Sequence, residues 1–292
     1  MDKWIFLNGE FTPCENAHVS IYDHGFLYGD GAFEGIRAYH GKAFKLKEHV
    51  ARLYMALKSL WIELPYGPEQ FAGNVDKLLQ MNGVTDGYIR VTVTRGVSLG
   101  LDPRNIKTEP TVVISTDKLS LYPQSMYDEG LMVVTVATRV ANPQVLEPRI
   151  KSTGKYVANI QAKLEANQVG AGEGLMLTEN GHVAECTGDN IFFAKNEVVY
   201  TPAAHLGILE GITRQTAIDV LAELGVKVVD GIYTRFDLYG ADECFLTGTA
   251  AEVIPMVKLD GRPIGDGKPG PITKKLIAAF HEYVAKCQGF EG

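Results

Sequence analysis

Arg149-Ile150-Lys151-Ser152-Thr153-Gly154-Lys155-Tyr156 is the stretch on which the reading of this chain turns, because it sets one lysine between two kinds of structure. Upstream, Pro143 and Pro148 punctuate an extended segment. Downstream, Val157, Ile160 and Leu164 recur at helical spacing and predict a helix that buries that face. Lys151 therefore falls at a strand-to-helix corner. A lysine there holds a carbonyl compound as an imine when desolvation or neighbouring cations lower its pKa toward neutrality. Arg149 and Lys155 are such neighbours. A lysine in such a setting is by itself far more often a solvated surface charge, so the rest of the chain must decide.

At 292 residues the chain exceeds what one hydrophobic core usually takes, and two lobes are expected. The weakly patterned stretch around Pro123 suggests the division: a small N-terminal α/β lobe over 1–121, a linker over 122–130, and a larger lobe over 131–292 that carries Lys151. A net charge of −7 argues against a nucleic-acid partner. Cys14, Cys186, Cys244 and Cys287 form no C-x-x-C pair and read as reduced thiols of a cytoplasmic protein. No run approaches the roughly 18 apolar residues of a membrane span, so a membrane partner is not expected. Seven histidines show neither H-E-x-x-H nor another paired ligand spacing, and no metal site is predicted.

In the first lobe, Trp4-Ile5-Phe6-Leu7, Asn8-Gly9 and Glu10-Phe11-Thr12 spell a hairpin with a tight turn. Val19 to Tyr22 is a further strand candidate. The glycines of Gly25-Phe26-Leu27-Tyr28-Gly29-Asp30-Gly31-Ala32-Phe33-Glu34-Gly35-Ile36-Arg37 lack dinucleotide-loop spacing, and no strand-loop-helix unit follows them. They fit better a loop and strand where backbone passes close to a ligand and aromatic residues wall it in. Leu46 to Leu60 is a helix with Leu46, Val50, Leu53, Leu57 and Leu60 on one face, and Pro68 to Met81 is another. Arg52, near the start of the first, could meet a phosphate together with helical N–H groups, although a solvated helix arginine is the simpler account of it alone. Two strands follow, 87–95 and 111–115. Alternation puts Tyr88 and Arg90 on one face, where an arginine half-buried in a strand seeks a carboxylate; Arg95 and Arg104 are its rivals.

The second lobe begins with a strand at Leu131 to Val136. After the helix from Tyr156 to Val169, Leu175 to Glu185 reads as a hairpin turning at Asn180-Gly181, and strands over 190–194 and 197–200 extend its sheet. The hairpin delivers Glu185. A helix opens at Ile212-Thr213, with Ile218, Leu221 and Leu224 buried, and Thr247-Gly248-Thr249-Ala250 precedes another short helix. Helix starts and hydroxyl side chains of this kind gather donors around a phosphate, although an ordinary N-cap is the simpler account of each alone.

The ordered set of Phe33-Glu34-Gly35-Ile36-Arg37, His49-Val50-Ala51-Arg52-Leu53, Tyr88-Ile89-Arg90, Lys151 with Tyr156, Glu185, Gly211-Ile212-Thr213-Arg214 and Thr247-Gly248-Thr249-Ala250 resembles the fold-type IV enzymes that use pyridoxal 5′-phosphate. It is most similar to the branched-chain amino acid aminotransferases, from about residue 4 to about residue 280. The resemblance implies an α+β fold with two lobes, each a mainly antiparallel sheet or barrel flanked by helices. It implies a transaminase that exchanges amino groups between L-leucine, L-isoleucine or L-valine and 2-oxoglutarate, with Lys151 as the amine that binds the cofactor aldehyde. Arg52, Ile212, Thr213 and Thr249 are implied to hold the phosphate, Glu185 the pyridine nitrogen and Tyr156 the phenolic oxygen. Tyr28, Phe33, Gly35, Tyr88, Arg90 and Ala250 are implied at the substrate, with Arg37 holding their loop. A homodimer or a larger assembly of dimers is implied as well. Lys155 stands where the family usually has asparagine, and the loop 96–104 ends in Arg104. Another fold-type IV activity therefore stays open: a D-amino-acid or (R)-amine transaminase, or an aminodeoxychorismate lyase.

Overall fold

The computed structural model describes residues 3–118 and 122–286. They form two compact units, one from the residues up to 118 together with Ile150–Lys155, the other from residues 122–149 and 156–285.

In the first unit, β1 (Trp4–Leu7) and β2 (Glu10–Pro13) are joined by Asn8-Gly9, whose φ angles of 50° and 96° are the positive pair such a turn demands. A short helix α1 (His24–Tyr28) leads to β3 (Gly31–Tyr39) and β4 (Lys42–Ala43). Two longer helices follow, α2 (Leu46–Ser59) and α3 (Pro68–Met81), then β5 (Gly87–Thr94) and β6 (Thr111–Asp117). The antiparallel sheet runs β2-β1-β6-β5-β3-β4. Leu46, Val50, Leu53 and Leu57 of α2 and Phe71, Val75 and Leu78 of α3 close one core with Ile36, Ile89 and Val91 of the sheet. Val19 to Tyr22, expected as a strand, forms none. Its apolar side chains Val19, Ile21 and Tyr22 stay exposed, and Asp23 N–H turns back to Ser20 O instead of joining a ladder.

In the second unit, residues expected as a linker hold α4 (Gln124–Glu129) and pack Tyr122, Met126 and Tyr127 on the core. Next come β7 (Leu131–Arg139), α5 (Tyr156–Gln168), β8 (Glu173–Leu177), β9 (Val183–Cys186), β10 (Asn190–Lys195) and β11 (Val198–Pro202). The unit ends with α6 (Ile212–Glu223), β12 (Val228–Gly231), α7 (Arg235–Tyr239), β13 (Glu243–Gly248), β14 (Glu252–Leu259), β15 (Arg262–Pro263) and α8 (Pro271–Lys286). The sheet order is β12-β11-β10-β13-β14-β7-β8-β9, with β15 on β14, and β9 folds back beside β10 so that the sheet curls. Its β7–β8 and β11–β12 pairs are parallel because α5 and α6 supply the crossovers such pairs require. The architecture is α+β, with a more mixed second sheet than expected.

Helix α5 departs from its sequence pattern. Val157, Ile160 and Leu164, expected inside, are 61%, 61% and 57% exposed, and the helix buries Asn159, Ala162 and Ala166. A Cβ added to Gly174 of β8 would stand 3.3 Å from Ala162 O, so helix and sheet backbones are close enough that only small side chains fit. In α6, Leu221 is buried as expected, whereas Ile218 is half-buried and Leu224 exposed. Thr249 to Ala251, expected to lead into a helix, form the three-residue turn between β13 and β14, since Gly248 pairs with Glu252. No helix among the described residues is long and apolar enough to cross a membrane.

Candidate active site

The β3–β5 register sets Phe33 opposite Thr92, Gly35 opposite Arg90 and Arg37 opposite Tyr88. Strand alternation then puts Phe33, Gly35, Arg37, Tyr88 and Arg90 on one face, with Ala32, Glu34, Ile36, Ile89 and Val91 on the other. The first face is aromatic and cationic. The Arg90 guanidinium carbon lies 3.6 Å from the Phe33 ring centroid and Lys151 Nζ lies 4.8 Å from the same centroid, both within cation–π range. Tyr88 leans over Gly35 so closely that a Cβ there would fall 2.0 Å from its hydroxyl. Arg37 stacks on Tyr39, its guanidinium carbon 5.0 Å from the ring centroid.

The backbone of Lys151, expected in a lobe of residues 131–292, is bonded into the first unit as an added edge to β3. Phe33 N–H donates to Lys151 O at 3.0 Å, Ala32 bridges to Ser152, and Thr153 N–H donates to Gly31 O at 2.9 Å. The Thr153 hydroxyl and Gly154 N–H both reach Gly29 O, at 2.6 and 3.0 Å. Gly29 (φ 68°) leaves no room for a side chain, because a Cβ there would sit 2.7 Å from Gly154 Cα. One strand thus carries both the aromatic wall and the lysine's backbone. Tyr28, at the end of α1, packs edge-on against His24 and accepts a hydrogen bond from Gly100 N–H at 3.2 Å.

The three arginines that competed for a carboxylate are not equivalent. Arg95 binds both oxygens of Asp30 and the carbonyls of Leu60 and Trp61, which latches the end of α2. Arg104 is 86% exposed and forked onto Asp102. Arg90 lies on the Phe33 face, its Nε 3.3 Å from Thr92 Oγ1. On the helix side, Arg52 sends Nε and Nη2 to the two oxygens of Glu34, each at 2.7 Å, and His49 Nδ1 lies 2.8 Å from Glu34 Oε2. Burial would raise the Glu34 pKa, but the Arg52 guanidinium and His49 beside it bring it down to about 2. His49 is held below its ordinary value, chiefly by burial.

In the second unit, Glu185 lies on β9 and is 5% exposed. Its Oε2 accepts Leu209 N–H at 2.8 Å and the Asn190 amide at 3.4 Å, and the Asn190 amide also binds Leu209 O. Tyr156 opens α5 and is half-buried. Ile212 and Thr213 open α6 behind Gly211, which offers no capping side chain to the first-turn N–H groups. A Cβ on Gly211 would collide with Asn190 Oδ1 at 2.2 Å. Arg214 Nε and Thr247 Oγ1 are buried with no hydrogen-bond partner among the described residues. Thr249 and Ala250 sit half-buried in the β13–β14 turn. Glu34, His49, Asn190 and Leu209 had no assigned part in the sequence reading. An acid at an inward position of an otherwise apolar strand was the available sign of Glu34; nothing local announced Leu209, whose part is played by its backbone. Among the described residues no group of three or more His, Cys, Asp or Glu side chains could hold a metal ion.

The family model for amino-transferase class IV matches residues 31–259. The chain belongs to the class IV aminotransferases. Over 97% of this chain and 96% of the relative, this aminotransferase is 45% identical to a putative branched-chain-amino-acid aminotransferase of Methanocaldococcus jannaschii. The crystal structure of the branched-chain amino acid aminotransferase of Thermobaculum terrenum in its PLP form superposes with a TM-score of 0.88 at 29% identity, covering 97% of this chain and 94% of that one. The branched-chain amino acid aminotransferase of Escherichia coli gives 0.93 at 31% identity over 97% of this chain and 94% of its own.

The donor set of this class IV aminotransferase fits pyridoxal 5′-phosphate. The uncapped start of α6 and the unpartnered Thr247 hydroxyl suit a phosphate, and the buried Glu185 carboxylate suits a protonated ring nitrogen.

Proposed function

We propose that this chain is a branched-chain amino acid aminotransferase that exchanges amino groups reversibly between L-leucine, L-isoleucine or L-valine and 2-oxoglutarate. Support comes from the relatives of that activity and, within this chain, from one observation. The Lys151 amine, at 4.8 Å, and the Arg90 guanidinium, at 3.6 Å, both lie within cation–π range of the same Phe33 ring. An apolar wall with one cation beside it accepts an aliphatic side chain and also the second carboxylate of a dicarboxylic acid.

Pyridoxal 5′-phosphate, when bound, supplies an aldehyde that captures amines and a ring that draws electrons from the substrate Cα. Lys151 would be the amine that holds it, and its Nζ would take the proton from the substrate Cα and return it to the cofactor carbon that the amine had held. Tyr88 and Arg90 would orient the substrate, Tyr28, Phe33 and Gly35 would shape its side-chain pocket, Arg37 would steady their strand, and Arg52 would meet the phosphate. Glu185 would keep the ring nitrogen protonated and Tyr156 would donate to the phenolic oxygen. Ile212, Thr213 and Thr249 donate to the phosphate, and Ala250 lies at the substrate. We also propose a cytoplasmic homodimer or larger assembly of dimers. Phe26, Leu99 and Leu101 at 72%, 72% and 78% exposure support a covered face, and the free thiols Cys186 and Cys244 suit a reducing compartment.

A donor panel with 2-oxoglutarate tests the reading: L-leucine, L-isoleucine and L-valine are expected to outrun D-alanine and (R)-1-phenylethylamine. Fastest turnover of D-alanine would remove it. The pairing of Arg104 with Asp102 and of Arg95 with Asp30 argues the same way, because neither loop arginine is held out for a carboxylate.

A further inference from the structure

We infer that Glu34 and His49 are positioning residues that fix the plane of the Arg52 guanidinium for the cofactor phosphate, an inference that rests on Arg52 being a phosphate ligand. Glu34 belongs to the strand whose neighbouring residue, Phe33, bonds the Lys151 carbonyl, yet its side chain points to the opposite face, under α2. There it meets Arg52 side-on. Nε goes to one carboxylate oxygen and Nη2 to the other, both at 2.7 Å. This fork takes up one edge of the guanidinium and turns the edge bearing Nη1 away from Glu34. His49 Nδ1, at 2.8 Å from Oε2, fixes the carboxylate in turn.

Burial grades along the network. The Glu34 and His49 side chains are each 1% exposed, and Arg52 is 14% exposed, so the arrangement is sealed at its base. For stability alone, three ionisable side chains are a poor use of a core position, since apolar residues of similar volume stabilise as well or better. What the three provide is a guanidinium held in one orientation on α2. That matters for a ligand recognised bidentately, where an arginine free to rotate loses orientation on every binding event. Glu34 and His49 act through Arg52, as outer partners of a ligating side chain do at metal sites.

The test compares dissociation constants of the full-length, cofactor-stripped chain for pyridoxal 5′-phosphate and for pyridoxal, followed by absorbance. Their ratio isolates what the phosphate contributes. Glu34→Gln is expected to weaken pyridoxal 5′-phosphate by about 10- to 100-fold, the usual scale for losing an outer partner, and to leave pyridoxal within about 2-fold. His49→Ala is expected to act the same way by about 5-fold, and His49→Asn, whose amide replaces the Nδ1 donor, to restore the ratio. Equal weakening of both ligands by Glu34→Gln would make Glu34 a fold-stabilising residue only and overturn the inference. Should Glu34→Gln not fold, the histidine pair decides: identical ratios for His49→Ala and His49→Asn overturn it, and rescue by asparagine sustains it. Arg52→Met is the separate control. If it weakens both ligands alike, the phosphate role of Arg52 falls, a result distinguishable from Glu34 failing while Arg52 stays phosphate-selective.

Discussion

The two faces of the β3–β5 pair are built from the same residues in alternation and do opposite things. Ile36, Ile89 and Val91 point under α2 and α3 and are 1%, 0% and 0% exposed, whereas Phe33, Gly35, Tyr88 and Arg90 point to the other side, where the Phe33 ring meets both the Arg90 guanidinium and the Lys151 amine. Moving one residue along the strand exchanges stability for chemistry. The lesson is that a site borrows its rigidity from the core on the reverse of the same strands. Glu34 is the exception, a charge on the apolar face, and it is matched there by Arg52 and His49.

The sharpest way to separate the faces is Lys151→Ala. Turnover is expected to fall by at least about 10^3-fold while the unfolding curve stays in place, because the side chain meets Phe33 on the face of β3 turned away from the core. Coincident loss of cooperative unfolding would show that the division is wrong. Ile89→Ala, one residue along β5 from Tyr88, is expected to do the reverse. It should cost about 2–5 kcal/mol in urea denaturation, with KM for L-leucine unchanged in the protein that remains folded.

Gly35→Ala brings the comparison to a single methyl group. With 2.0 Å between the new Cβ and the Tyr88 hydroxyl, Tyr88 must move, and kcat/KM is expected to drop about 10- to 100-fold. Tyr88→Phe in the same background should recover part of that loss, since it removes the nearest clashing atom; no recovery would mean that Gly35 acts through something else.

Acid titration probes the exception. Glu34 has its folded pKa depressed to about 2 from an ordinary 4.5, so its contribution is present above 4.5 and is lost as pH falls toward 2. Between pH 4.5 and 3 the wild-type chain is expected to lose on the order of 1–2 kcal/mol more than Glu34→Gln, read from urea midpoints. Parallel acid limbs would place the ion pair's energetics elsewhere. The smallest effect belongs to α5, where Ile160→Gln is expected to change stability by no more than about 0.5 kcal/mol in a dilute, monomeric sample. A large loss would mean that the exposed stripe packs against something in solution.

Much of this was legible in advance. The β1–β2 turn, the helix from Pro68 to Met81 and the buried face of α2 follow from local rules, because Asn-Gly, N-terminal proline and a 3.6-residue apolar period act within a few residues of themselves. The motif residues of β3 and β5 were legible for a related reason: alternation alone puts Tyr88 and Arg90 on one side. α5 was not, since its period allows either stripe inside, and the choice fell to how closely its backbone approaches β8 at Gly174.

The amino-acid order by itself determined most of the helices and strands, though not the loop at 19–22, α4 or the turn at 249–251, and it carried the side chains that mark the family. Tertiary structure alone decided that the Lys151 backbone is stitched to β3 more than 100 residues upstream and that Leu209 N–H serves Glu185, which lies 24 residues away. It also decided that Arg95 is latched to Asp30 and that Arg90 lies on Phe33. Those are contacts between residues far apart in the chain, set by register and closure, and no local propensity encodes them.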